Sequence, residues 1–124
     1  MAATKARTAI WTSQTLTASA GNTTSSPVDL SAGYGAMLNF DLTNGGTGPT
    51  VAAQIQVQVA NDWNAGSPTL WESLGTYIGS LTASAIASFS IEIPAGVAAV
   101  RLIAGSNTGQ NVTANADISN ITAL

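Results

Sequence analysis

The sequence predicts an all-β protein, an antiparallel β-sandwich of seven or eight strands with a jelly roll among the topologies it allows. Three observations carry this. Apolar residues recur with a period of two and not 3.6, as on a pleated strand with one buried face. Loop-forming clusters of Gly, Asn, Ser and Pro separate these runs at short intervals. At 124 residues the chain suits one core, and such a domain buries roughly two-thirds of its unfolded surface.

Four segments show the alternation most clearly. Leu38, Phe40 and Leu42 alternate with Asn39 and Asp41. Val51, Ala53, Ile55, Val57 and Val59 alternate with Gln54, Gln56 and Gln58. Phe89, Ile91 and Ile93 flank Ser90 and Glu92, and Val112, Ala114, Ala116 and Ile118 are interleaved with polar residues. Three further strands are expected at residues 8–17, 69–77 and 97–104, and a short eighth at Val28-Asp29-Leu30, where Pro27 stands at a position a strand tolerates. The stretch from Leu81 to Ala87 suits either a helical turn or a loop. Residues 1–7 have weak periodicity and hold two of the three cations. They are read as a flexible N-terminal arm, either frayed or ordered by a neighbouring subunit, with residues 8–124 as a single sandwich domain.

The composition excludes much chemistry. There is no cysteine and no histidine, so no disulfide, thiolate or imidazole is available for a redox centre, a zinc site or general-base catalysis. Three basic and six acidic residues give a net charge of −3, without the basic footprint of a nucleic-acid binder or an anionic-membrane binder. The amino terminus lacks the apolar core of a signal peptide, and no run of 18 apolar residues suggests a membrane span. No cofactor is expected. Charged residues make up 7% of the chain, against a usual share of about 25%, so Ser, Thr, Asn, Gln and Gly must solvate the surface. Such a surface has few charges to desolvate when a partner covers it.

Candidate sites are few. Glu72 and Glu92 are the only glutamates, and a carboxylate pair suffices for glycoside cleavage; both lie in expected strands, where solvated outward positions explain them more simply. The chain is therefore expected not to be an enzyme, and no catalytic residue is assigned. Asp62-Trp63-Asn64 has oxygen groups at alternate positions, but without the closing glutamate of a calcium loop an Asx-stabilised turn is the expectation. Trp63, Trp71 and Tyr34 offer stacking surfaces for sugars, while Trp71 and Tyr77 are expected to cap the core. Arg101 is the only cation of the domain body. Lys5, Arg7, Trp63 and Arg101 are the candidate interface residues.

The run Pro27-Val28-Asp29-Leu30, Gly33-Tyr34-Gly35-Ala36-Met37-Leu38-Asn39-Phe40-Asp41-Leu42, a Gly/Thr/Pro loop and Val51 to Gln58 resembles small structural proteins of tailed bacteriophages. Trp71-Glu72-Ser73-Leu74 and Val100-Arg101-Leu102 follow in the same order, so the resemblance spans residues 25 to 122. It is nearest to capsid decoration, or cement, proteins. The resemblance implies a virion protein made in the host cytoplasm that sits on the capsid surface. It implies as partners the major capsid protein and copies of itself in a homotrimer, with no catalytic residues. Neck, tail or receptor-contacting proteins and carbohydrate-binding sandwiches are the alternatives.

Overall fold

The computed structural model describes residues 2–124. Nine strands form, in order β1 (Thr4–Leu16), β2 (Thr23–Thr24), β3 (Val28–Asp29), β4 (Ala36–Asn44), β5 (Gln54–Ala60), β6 (Glu72–Ile78), β7 (Ile86–Ile93), β8 (Ala99–Gly105) and β9 (Val112–Ala123). A single 3-10 turn at Asn64–Gly66 is the helical content of the described residues. One sheet has the order β1-β9-β4-β7; the other has β2-β8-β5-β6, with β3 also pairing with β8. Every strand pairing is antiparallel.

The connectivity is that of a jelly roll. When β2 and β3 count as one interrupted strand, the chain folds as nested partners: first with last (β1·β9), second with seventh (β2/β3·β8), third with sixth (β4·β7) and fourth with fifth (β5·β6). A long hairpin wrapped in this way splits its strands between two packed sheets.

The alternation seen in the sequence becomes the core. Leu38, Phe40 and Leu42 of β4, Ile55 and Val57 of β5, Val100 and Leu102 of β8, and Val112, Ala114, Ala116 and Ile118 of β9 are all buried between the sheets. Phe40, Tyr77 and Phe89 bridge the sheets as an aromatic trio with centroids 5.1 to 5.4 Å apart. Polar groups lock the ends. Buried Asn44 donates from Nδ2 to the Ser80 and Thr82 carbonyls, both at 2.8 Å. Ser25 Oγ accepts from the Leu102 amide at 2.9 Å, tying the β2–β3 connection to β8.

The structure revises several boundaries. Residues 4–7 are not a free arm: Thr4, Lys5, Ala6 and Arg7 continue β1, opposite Ala123, Ile121, Asn120 and Ser119 of β9. The backbone ladder and the Arg7–Asp117 ion pair hold them, and the residues lack apolar alternation because neither face is covered. Met1, the first residue of the expected arm, lies outside the described residues. The strand expected from Val51 begins at Gln54, and Val51 makes an isolated bridge to Thr108. Leu81 to Ala85 form a loop, and Ile86-Ala87 open β7.

Candidate functional site

The two outer faces of the sandwich divide three of the four candidate interface residues between them. Arg101 projects from β8 onto the outer face of the five-stranded sheet, between inward Val100 and Leu102. Its register partner on β5 is Gln58, whose Oε1 accepts from Arg101 Nε at 2.7 Å. The guanidinium lies 4.4 Å from the centroid of the Trp71 ring, a cation–π distance. Trp71 is therefore not the core cap expected from the sequence: it lies on the outer face beneath Arg101, whereas Tyr77 does join the core. Around this pair the cross-strand rows are Gly105–Gln54–Ile78, Thr24–Ile103–Gln56–Thr76 and Arg101–Gln58–Ser73. Arg101 is their one charged residue.

Lys5 and Arg7 lie on the four-stranded sheet instead. Arg7 donates to Asp117 Oδ2 from Nε at 2.9 Å and from Nη2 at 2.7 Å. This pair borders a shallow groove of about 320 Å³ whose floor includes Asn39, Asp41, Ser90 and Asn115. Ser90 Oγ donates to Asn39 Oδ1 at 2.6 Å, and Asn115 Nδ2 donates to Asp41 Oδ1 at 3.1 Å. Much of the polar wall is thus already hydrogen-bonded across strands. A neighbouring groove of about 330 Å³ joins Lys5 and Glu92 with exposed Tyr34 and Met37. Tyr34 is half exposed (50%), and Gly35 beside it turns with φ +102°, a backbone that favours glycine.

Trp63 stands apart, in the β5–β6 loop at the entry to the 3-10 turn. Asp62 next to it accepts from the Thr69 amide at 3.0 Å and the Thr69 hydroxyl at 2.7 Å. The Thr69 hydroxyl, then its amide, hold the Asp62 carboxyl below its ordinary value. Asp62 thus closes the loop across seven residues, a longer reach than the local Asx turn the sequence suggests. Among the described residues no group of three or more Asp or Glu side chains is placed to hold a metal ion.

Glu72 and Glu92 are not brought together. Glu72 opens β6 in one sheet, Glu92 belongs to β7 in the other, and they line separate grooves. No helix among the described residues is long and apolar enough to cross a membrane. Two partners escaped sequence reasoning, Asp117 for Arg7 and Trp71 for Arg101. Both pairings depend on strand register and strand crossing, which one sequence does not display.

No protein-family model matches the chain, and no curated protein matches it in sequence. Solved structures do share its fold. The VP2 subviral particle protein of infectious bursal disease virus superposes with a TM-score of 0.59 at 10% identity, covering 94% of this chain and 32% of that one. The enzymatically active domain of tailspike protein 4 from bacteriophage CBA120 gives 0.55 at 12%, covering 95% and 19%. The K3 cleaved adhesin domain of Lys-gingipain from Porphyromonas gingivalis gives 0.52 at 11%, covering 80% and 63%. The chain thus spans about a third of the viral protein, a fifth of the tailspike domain and under two-thirds of the adhesin chain. Likeness at this level of identity is likeness of fold, and the fold class is a two-sheet β-sandwich shared with virus-particle, phage-tail and adhesin domains.

Proposed function

We propose that the chain is a non-catalytic structural protein of a virion, and within that class a capsid decoration protein. It binds the head surface and stabilises contacts between major capsid subunits. The observation that carries this reading is the outer face of the five-stranded sheet. Three successive rows of it are Gln, Thr, Ser, Ile and Gly around one cation, that cation already has Gln58 and Trp71 as partners, and the next row adds a single carboxylate, Asp29. A rigid face of this kind can be covered without stripping water from many charges. A fold in common with a virus-particle protein and a phage tailspike supports the same class, as jelly rolls recur in capsid proteins.

The test adds purified protein to heads that lack it. Decoration predicts saturable binding and a higher temperature of head disruption; heads that neither bind it nor gain heat resistance would overturn the reading. Electron microscopy of labelled virions separates the head from a neck, tail or receptor-contacting location.

A specific observation favours a second reading, carbohydrate binding: half-exposed Tyr34 beside the groove shared by Lys5 and Glu92. An aromatic face flanked by hydrogen-bonding groups can stack on a sugar ring. A glycan array gives hits that Tyr34→Ala abolishes if this reading holds, and none if it does not.

A further inference from the structure

Exposed strand edges template strand addition unless bulges, charges, proline or brevity blunt them. Most edges of this sandwich are blunted. β1 carries Lys5 and Arg7 and three register shifts against β9. β6 has a register shift against β5 and contains Gly75. β2 and β3 are two residues each. β7 differs. It pairs with β4 through eight consecutive positions without a register shift. Its sequence, Ile86 to Ile93, contains no proline and no lysine, and its one charge is Glu92. Ile86 at its start is 62% exposed.

The opposite edge of the same sheet has complementary properties. Thr4 to Ala9 of β1 are exposed at every position, on both faces, while β9 opposite Ala6 to Ala9 is paired in turn with β4, so this stretch is the uncovered rim of the four-stranded sheet. No strand among the described residues pairs with its outer edge, and a sheet beside it would supply the missing ladder. The strands alternate in direction across β1-β9-β4-β7, so β1 of a second copy laid beside β7 runs antiparallel to it. The register also fits. Arg7, Ser119, Met37 and Glu92 form one cross-strand row on the outer face, and Ala9, Asp117, Asn39 and Ser90 form the next. Continuing the sheet on the level sets Arg7 of the second copy opposite Glu92, with its Lys5 on the diagonal, both within reach of a cross-strand pair.

We propose that a second copy of this chain adds the Ala6 to Ala9 stretch of its β1 edge to Ser90 to Ile93 on the free edge of β7, extending the four-stranded sheet head to tail. The contact is heterologous, so its repetition gives a ring where the rotation closes and an open filament where it does not. It rests on the reading of the chain as an assembly protein and deepens it by naming the surfaces. It uses two of the three cations of the chain and one of its two glutamates. A symmetric β7–β7 contact would bring no cation to Glu92, since β7 has none of its own.

Because the chain has no cysteine, disulfide trapping is clean. Arg7→Cys and Glu92→Cys chains are made separately and oxidised alone and mixed. The proposal expects a cross-linked dimer in the mixture and little in either variant alone. Self-linked Glu92→Cys as the main product, or no link in the mixture, would overturn it. Ser90→Lys, an outward substitution on β7 that falls opposite Ala9 of the second copy and leaves the core untouched, tests the native sequence. It should weaken self-association roughly tenfold or more, since a lysine on an edge strand opposes strand addition, with the melting curve of the subunit little changed. Unaltered self-association overturns the proposal. So does a native chain that stays monomeric yet loses head binding on this substitution, which would give the β7 edge to another protein. Head binding is scored separately: a chain that cross-links as expected but does not bind heads removes the decoration reading alone.

Discussion

Arg101 holds two partners, and truncating it removes both. Arg101→Ala deletes the 2.7 Å bond to Gln58 and the cation above Trp71. A surface cation–π contact and one net hydrogen bond together are worth about 1–2 kcal/mol, which denaturant unfolding can resolve. Asn44→Ala should cost about as much or more. It strips the Ser80 carbonyl of the Asn44 donor and leaves the Thr82 carbonyl only the Ala85 amide, and a partly buried group left unpaired costs about 1 kcal/mol or more. Asp62 gives a pH signature. Thr69 bonds its ionised form and lowers its pKa, so the loop closure it provides is complete above the ordinary carboxylate range. That closure is lost as pH falls through the lowered value. The Thr69 amide resonance should titrate with a midpoint below that of a free aspartate, and a midpoint at or above the ordinary value would contradict the assignment.

Strands were legible wherever one face is buried and the other wet. β4, β5, β7 and β9 each announce themselves by alternation, and their inward residues are the core. Where that asymmetry is missing the signal fails. Thr4 to Arg7 face solvent on both sides, so a regular strand reads as an arm. Thr23–Thr24 forms β2 because β8 offers it Ala104 and Ile103, and two residues carry no period of their own. The loop between β4 and β5 packs against the loop between β6 and β7 at Gly48, where a Cβ would overlap the Leu81 carbonyl oxygen. Gly48→Ala should therefore push the two loops apart and lower the melting temperature, whereas Gly45→Ala, with open space around it, should not. Equal effects of the two substitutions in thermal unfolding would show that the close approach is absent.

For the whole molecule, the spacing of strands and turns pointed to a sandwich, but the nested pairing of β1 with β9 and β4 with β7 is a long-range property. The same limit applied to the candidate site. Arg101 was identifiable as a lone cation on a strand, but its row of glutamines and its place above Trp71 required the register of β5 against β8. Lys5 and Arg7 turn out to lie on the other sheet, so the candidate residues apart from Trp63 describe two surfaces: a nearly neutral face, proposed to meet the capsid, and a charged edge, proposed to meet a second copy. A neutral face predicts attachment that resists screening, since few charges take part. Co-sedimentation of the purified protein with heads that lack it, repeated at rising salt, tests this most directly. The account predicts saturable binding that persists at high salt and raises the temperature at which heads fail. Heads that remain bare, or binding that vanishes as salt screens charge, would contradict it.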